Sequence, residues 1–416
     1  MDHIQDISLP FIRNYSIGSH IFKISKDLGK NVKTIFEQAG DGNFFSATNV
    51  IFRGSKFNAP NEYNSTNIIK DIEEVFKNPS KYFETKEVPK ITVGYIPTTD
   101  ALMHELGFNN QKYIKEIINA DKAIGNLIST LKDLGYYDST AIALISDHGN
   151  YRAKEMYDLE PFFEKHNLIP YNPKKGGDFD AAFGSLGRFN FHGDTWFHHP
   201  TLNQLKNYEL KNKQGKKVNI FKILWQIPKV KFMFYPDDKN NNEKGIIYLR
   251  KKDPKSGEIF KGRIEYLDNE KDLKTKYSYK TEELFGYIHS EDKKSFLDGE
   301  MHTIDEWLAN TYDINFPILI DQLARYFKNP RSCDIMISTI GECGFGYEHG
   351  KTKSASPYSH DIALSKSMIV PFIIGGSDNI PLMNLQYCKT VDMVPTLLDL
   401  LGDTPDLSVV GKSLTK

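Results

Sequence analysis

The feature that most constrains the fold is a strand–helix–strand succession in the first half of the chain. Residues 91–96 (ITVGYI) form an apolar, β-branched run that stops at Pro97, which is typical of a strand buried on both faces. Apolar residues recur every three or four positions from 111 to 134, which predicts a long amphipathic helix that ends at Gly135. Residues 140–145 predict a second buried strand. This succession predicts a βαβ unit and hence a parallel sheet.

Shorter patterns on both sides of this unit predict further elements of the same kind. The predicted elements are a helical turn at 33–39, strands at 44–53, 333–338 and 368–374, and helices at 64–76 and 395–401. The chain is therefore predicted to be an α/β protein with a mostly parallel sheet flanked by helices.

The middle of the chain differs from the rest in composition and in its pattern of apolar residues. It is rich in Lys and Asn, and hairpin-like pairs at 230–235 and 245–250 flank the polar turn 237–243. We predict an inserted, mixed α/β subdomain at 181–330. Residues 1–180 would then form the first part of the main α/β domain, and residues 331–416 would form its C-terminal part.

Composition excludes several classes of protein. The 416 residues include 53 basic and 54 acidic side chains, and this balance argues against binding to a nucleic-acid duplex or to an anionic membrane. The three cysteines are too widely spaced for a disulfide framework or a zinc ribbon. No apolar run reaches the roughly 18 residues of a membrane span. The N-terminus lacks signal-peptide character, which favours a cytoplasmic location for the chain as given.

Acidic and imidazole side chains follow both strands of the βαβ unit. Asp100 and His104 come just after the strand at 91–96, and Asp147 and His148 come directly after the strand at 140–145. Loops beyond the carboxyl ends of parallel strands line the ligand crevice of an open sheet. We therefore expect these two pairs to converge.

These residue types suit zinc or manganese. A spacing of four residues would place Asp100 and His104 on one helix face, and a turn at Gly149 would let Asp147 and His148 point into one cavity. Two cations about 4 Å apart can clamp the attacking and leaving oxygens of a phosphoryl displacement. Taken alone, an Asp-x-x-x-His spacing is weak evidence for a metal site, whereas a strand that ends in Ser-Asp-His-Gly is stronger evidence.

These segments resemble the alkaline phosphatase superfamily, and in particular its type I phosphodiesterase/nucleotide pyrophosphatase branch. The resemblance rests on residues 97–107 (PTTDALMHELG) and 146–149 (SDHG), and on the tail at 359–371 (SHDIALSKSMIVP). Residues 391–402 are similar to the closing helix of that family.

The resemblance implies hydrolysis of a phosphodiester or phosphomonoester, with a small anionic phosphoester as the substrate. It implies two divalent cations, with zinc favoured and manganese a second choice. Asp100, His104 and His360 would hold one cation, and Asp147 and His148 would hold the other. The start of the strand at 368–374 favours His360 over the competing His349. Asp361 follows His360, where the family usually has glycine.

The nucleophile that the family implies is not visible in the sequence. The family places a metal-binding Asp and a Ser or Thr nucleophile well upstream of Asp-x-x-x-His, and here only Ser16 and Ser19 lie in a turn-like setting. We therefore expect an N-terminally truncated relative. Three alternatives remain open: a metal-binding relative with impaired catalysis, a phosphotransferase, and a sulfatase. The sulfatase is disfavoured because no cysteine precedes Cys333.

Three further features invite a functional interpretation. Arg53, at the end of a predicted strand, could meet a substrate anion. The segment 190–199 (NFHGDTWFHH) could form a lid or a metal site, although a structural loop is the favoured interpretation. Asp334 and Glu342 are interpreted as structural.

Overall fold

The computed structural model describes most of the chain. The described residues are 24–59, 62–172, 174–184, 186–196, 198–269, 272–288, 291–346, 356–360, 363–378, 380–382 and 385–415. They fall into two compact units. Unit 1 contains residues 14–147 and 371–416 apart from the undescribed positions, and unit 2 contains residues 148–370 with the same proviso. The chain therefore passes from one unit to the other at the Asp147–His148 peptide bond.

The first part of unit 1 alternates short strands with helices. Its elements are α1 (Ile24–Asp27), α2 (Ile35–Gln38), β1 (Phe44–Ala47), β2 (Lys56–Asn58), α3 (Ser65–Lys77), β3 (Ile91–Gly94), α4 (Thr98–Leu106), α5 (Gln111–Asp133) and β4 (Ala141–Ile145). β1 pairs with both β2 and β3 in parallel. β1 is shorter than predicted because Thr48 has a left-handed backbone, with φ of 62°, which ends the strand.

Side-chain caps explain where two of these helices begin. Thr34 and Glu37 form a reciprocal capping box at the start of α2. The Asn64 side chain accepts a hydrogen bond from the Asn67 backbone and so begins α3. The predicted helices at 33–39, 64–76 and 111–134 are thus confirmed to within a few residues.

Unit 2 contains many more strands. Its strands are β5 (Tyr151–Arg152), β6 (Glu155–Asp158), β7 (Phe179–Phe183), β8 (Leu186–Phe191), β9 (Tyr208–Glu209), β10 (Lys217–Val218), β11 (Phe232–Pro236), β12 (Lys244–Lys252), β13 (Ile259–Asp268), β14 (Leu273–Tyr279), β15 (Ile335–Ser338), β16 (Cys343–Gly346) and β17 (Tyr358–Ser359). Its helices are α6 (Glu160–His166), α7 (Leu202–Lys206), α8 (Ile220–Leu224), α9 (Glu291–Phe296), α10 (Ile304–Thr311), α11 (Leu319–Phe327) and α12 (Ser365–Met368).

A seven-stranded sheet organises unit 2. Its strand order is β14-β13-β12-β11-β15-β8-β7, and every neighbouring pair is antiparallel. Side chains alternate between two cores on the two faces of the sheet: Met233 packs into one, whereas Phe232 and Phe234 pack into the other. The predicted hairpin between 230–235 and 245–250 is confirmed by the pairing of β11 with β12.

The chain ends in unit 1 with β18 (Phe372–Gly376) and α13 (Met393–Leu400). β18 pairs with β4 in antiparallel fashion. The strand predicted at 368–374 starts late, because α12 occupies Ser365–Met368 and Pro371, which has no backbone N–H group, precedes the strand. The strand predicted at 140–145 is present as β4, but the prediction that it is buried is wrong, since Leu144 is 45% exposed.

The structure is a mixed α/β fold, as predicted, but a mostly parallel sheet is not confirmed. Parallel pairing among the described strands joins β1 to β2, β1 to β3 and β6 to β16, and the other pairs are antiparallel. Hairpin connections favour antiparallel pairs, and they dominate unit 2. Among the described helices, none has both the length and the apolar character needed to cross a bilayer.

Candidate functional site

Helix α4 positions the first two candidate ligands. The helix begins at Thr98, directly after Pro97, with Asp100 in its first turn and His104 in its last turn. His104 Nε2 lies 3.4 Å from Asp100 Oδ1, so the predicted one-face arrangement is present. Asp100 Oδ1 is buried and accepts no hydrogen bond from the described part of the chain. A buried carboxylate oxygen in this state is stabilised by a cation, so the pair fits a metal ion.

Tyr95 is a neighbour of two candidate ligands that sequence reasoning missed. Burial raises the pKa of its phenol, and the nearby charges of Asp147 and Asp100 raise it further. Tyr95 therefore lies close to both carboxylates within unit 1. A tyrosine in the otherwise apolar run at 91–96, five residues before Asp100, was the available signal.

Asp147 and His148 follow β4, as the sequence predicted, and Gly149 explains the path of the chain there. The Gly149 backbone N–H donates to the Ser367 carbonyl at 2.9 Å. A β-carbon at position 149 would lie 2.3 Å from the Lys366 carbonyl oxygen. Only glycine permits this close approach of two backbone segments.

Strand pairing within unit 2 brings His360 to His148. β17 ends at Ser359, and Ser359 pairs with Tyr151 in β5, so His360 lies next to the chain that precedes Tyr151. The His148 and His360 rings stack at 3.6 Å between centroids with an interplanar angle of 11°. A ring nitrogen of His148 lies within 4.8 Å of a ring nitrogen of His360. Imidazole nitrogens at this separation are suited to binding divalent cations.

The described part of the structure gives no support for a functional role of the other residues that the sequence singled out. The Arg53 guanidinium donates to Glu37 at 2.8 Å and to the Leu28 carbonyl at 3.0 Å, so it holds α2 in place rather than facing a substrate. His349, Asp361, Ser16 and Ser19 lie outside the described residues.

The segment 190–199 has a structural contact at its end. His199 Nδ1 lies 2.5 Å from Asp334 Oδ1, and His199 Nε2 lies 2.6 Å from the Pro330 carbonyl oxygen. Burial, the largest single effect, lowers the pKa of His199. The hydrogen bond to Asp334, the charge of Asp334 and the hydrogen bond to the Pro330 carbonyl together leave that pKa raised. Glu342 forms an ion pair with Lys154 at 3.0 Å. These contacts agree with the structural interpretation of Asp334 and Glu342.

An α/β fold with carboxylate and imidazole groups just after its strands is compatible with a hydrolase. The family model of type I phosphodiesterase/nucleotide pyrophosphatase matches residues 18–352, which is most of the chain. The chain belongs to this family. The matched span contains Asp100, His104, Asp147 and His148, and it ends before His360.

Solved structures give a weaker likeness. Murine ectonucleotide pyrophosphatase/phosphodiesterase 5, as an inactive variant in complex with AMP, aligns with 89% of this chain and 70% of its own, at 13% identity and a TM-score of 0.47. The human form aligns with 88% of this chain and 68% of its own, at 13% identity and a TM-score of 0.44. No curated protein matches this sequence.

Proposed function

We propose that this chain hydrolyses a phosphodiester or phosphomonoester, with a nucleotide-like phosphoester as the substrate, at a site that holds two divalent cations. Zinc is the favoured metal, and manganese is the second choice. The proposed ligands are Asp100, His104 and His360 for one cation and Asp147 and His148 for the other. Family membership supports the reaction class.

The observation that most directly supports cation binding is the state of Asp100. Its Oδ1 atom is buried without a hydrogen bond from any described residue. The charges of Asp147 and Asp100 both raise the pKa of Tyr95, which indicates that both carboxylates lie near that side chain. Two carboxylates near one phenol concentrate negative charge, and an external cation relieves the repulsion.

Each group has a distinct task in this proposal. Bound cations would supply electrostatic stabilisation of the charge on the transferring phosphoryl group. Helix α4 holds Asp100 and His104 close together on one face. The pairing of β17 with β5 holds His360 against His148. The Tyr95 hydroxyl keeps its proton well above neutral pH, because burial and two carboxylates raise its pKa, so it is available as a hydrogen-bond donor. The attacking group is not assigned to a residue.

The proposal includes the finer architecture predicted from sequence. Residues 1–180 and 331–416 would form the catalytic domain around a mostly parallel sheet, with residues 181–330 as an inserted subdomain. The parallel pairing of β1 with β2 and β3 is consistent with a parallel sheet in the catalytic domain. The hairpins from β11 to β14 are consistent with a separate, inserted subdomain.

Metal analysis of the purified chain tests the ligand assignment. We expect bound zinc or manganese, with most of it lost in His104→Ala and in His148→Ala because each substitution removes one donor from a small set. His198→Ala is the matched control, since His198 is exposed and is not a proposed ligand. Unchanged metal content in both ligand variants, with normal circular dichroism, would refute the site.

An activity assay separates the alternatives. We expect metal-dependent release of nitrophenol from a bis-nitrophenyl phosphate or a nitrophenyl phosphate. Metal binding without turnover would instead favour an impaired, metal-binding relative. Transfer of phosphate to an added alcohol in preference to water would favour a phosphotransferase.

A further inference from the structure

A cavity of about 240 Å³ opens on unit 2 beside α8 and β11. We call it the α8 cavity. It combines three aromatic and three cationic side chains, and no described residue that lines it is acidic. These side chains are Phe221, Trp225, Tyr235, Lys206, Lys222 and Arg250. None of the five proposed metal ligands lines it, so a ligand here would need no cation.

Backbone carbonyl groups and aromatic rings hold the Arg250 side chain in place. Its Nη1 group donates to the Leu249 carbonyl at 2.8 Å and to the Gly262 carbonyl at 3.3 Å. Its guanidinium carbon lies 5.4 Å from the centroid of the Tyr235 ring and 5.4 Å from that of the Tyr248 ring. Within the described chain these partners are backbone carbonyls and rings rather than carboxylates. The other N–H groups of this guanidinium can therefore donate to an external anion.

The aromatic side of the cavity offers a surface for a planar ring. Phe221 and Tyr235 contact each other with 4.8 Å between centroids and 58° between planes. Both side chains and Trp225 remain partly exposed, so their rings are accessible at the cavity. Stacking of a nucleobase on aromatic side chains of this kind is favourable and tolerates different bases.

The exposed amines complete the anion-binding character. Lys206 and Lys222 are both exposed and line the same cavity as Arg250. Three cations next to three aromatic rings are complementary to a ligand that has both an aromatic ring and a phosphate. Pockets for whole drug-sized ligands occupy roughly 300–1,000 Å³, so this smaller cavity suits one ring with its phosphate at the cationic edge.

We propose that the α8 cavity is a metal-independent binding site for a nucleoside monophosphate. The aromatic residues contact the base, and Arg250, Lys206 and Lys222 contact the phosphate. The site goes beyond the proposed hydrolytic function, because none of its residues belongs to the proposed metal-binding set.

Calorimetric titration of the full chain with inosine monophosphate in excess EDTA tests this proposal. EDTA removes the proposed cations, so failure of the hydrolytic proposal would not affect the result. We expect inosine monophosphate to bind, and inosine and inorganic phosphate each to bind at least about tenfold more weakly, because each supplies only half of the ligand. Tryptophan emission should change on binding, and Trp225→Phe should remove that change.

Substitutions locate the site. Arg250→Met and Lys222→Met should each weaken binding about tenfold, as expected for loss of a charged hydrogen bond. Lys213→Met is the matched control, since Lys213 is an exposed lysine of the same unit that does not line the cavity, and it should bind like the parent. Lys222 is exposed, so its variant should fold even where Arg250→Met does not.

Three results would overturn the proposal. They are no binding of inosine monophosphate in EDTA, equal affinity in Lys222→Met and Lys213→Met, and an emission change that survives in Trp225→Phe. Binding of a ten-residue oligoadenylate more than about tenfold tighter than inosine monophosphate would overturn the mononucleotide assignment in favour of single-stranded nucleic acid.

Discussion

Strand β4 in unit 1 and strand β8 in unit 2 show opposite relations between sequence and burial. β4 is an almost continuous apolar run, yet Leu144 is 45% exposed and Ile373 on its partner β18 is 57% exposed. β8 belongs to the less regular part of the sequence, yet Phe189 and Phe191 are fully buried. The difference teaches that an apolar run indicates a strand, whereas burial depends on what packs against each face.

The packing partners of the two strands explain the contrast. In unit 2, Phe189 lies among the rings of Phe163, Phe179 and Phe191, which come from α6, β7 and β8. In unit 1, β4 has β18 as its described partner, and the apolar side chains Ile117 and Ile118 of α5 are themselves about half exposed. Unit 2 therefore has the more extensive core among the described residues.

Truncating one residue from each strand should give the largest difference. Phe189→Ala should lower the free energy of unfolding by about 3–5 kcal/mol, because it removes a ring from a close-packed cluster. Leu144→Ala should cost less than about 1 kcal/mol, because nearly half of that side chain is already in contact with water. Urea denaturation followed by circular dichroism measures both values. Equal losses in the two variants would show that β4 is as well packed as β8.

A glycine pair sharpens the comparison on a smaller scale. Gly149→Ala should cost about 1–3 kcal/mol, because the new methyl group would collide with the Lys366 carbonyl oxygen of unit 2. Gly125→Ala, in the middle of α5 in unit 1, meets nothing within 4 Å and should stabilise the chain by about 0.5–1 kcal/mol. Thermal denaturation compares the two directly. A neutral Gly149→Ala variant would contradict the close backbone approach.

The smallest expected effect is a pH dependence of stability that arises from the His199–Asp334 pair in unit 2. In the His199–Asp334 pair of unit 2, Asp334 is buried and His199 is partly exposed, so this pair titrates differently from the more exposed Lys33–Asp406 pair of unit 1. Asp334 raises the pKa of His199 despite burial, so the pair stabilises the fold below about pH 6.5, and that stability is lost as pH rises through the folded-state pKa. Burial raises the pKa of Asp334 and acts in the same direction.

The urea midpoint of the parent chain should therefore fall as the pH rises from about 6.5 through the folded-state pKa of His199. His199→Gln should show a smaller fall, and His198→Gln, an exposed control, should match the parent. An identical fall in all three proteins would assign the pH dependence to other groups.

Local signals predicted the helices well. The three-to-four spacing that predicted α5 acts over a few residues, so its outcome is visible in sequence. The caps that the structure shows at Thr34 and Asn64 are equally local. The Asp100–His104 geometry is of the same kind, because a four-residue spacing on a helix brings two side chains together without any distant contact.

Features that depend on distant segments could not be predicted. His360 meets His148 because Ser359 pairs with Tyr151, across about two hundred residues of chain, and no local pattern marks that pairing. The strand at 333–338 was predicted to belong to a mostly parallel sheet, yet β15 lies between β11 and β8 and is antiparallel to both. Tyr95 was missed because its closeness to Asp100 and Asp147 depends on where the fold brings those residues rather than on its own surroundings in sequence.

The sequence by itself determined the family, the helices and the residue types available to bind a cation, since motifs and helical periodicity are properties of short segments. The tertiary structure alone decided which strands are neighbours, which apolar runs are buried and which histidine rings stack. The physical reason is that burial and strand pairing are properties of two surfaces in contact, and a single segment specifies only one of them.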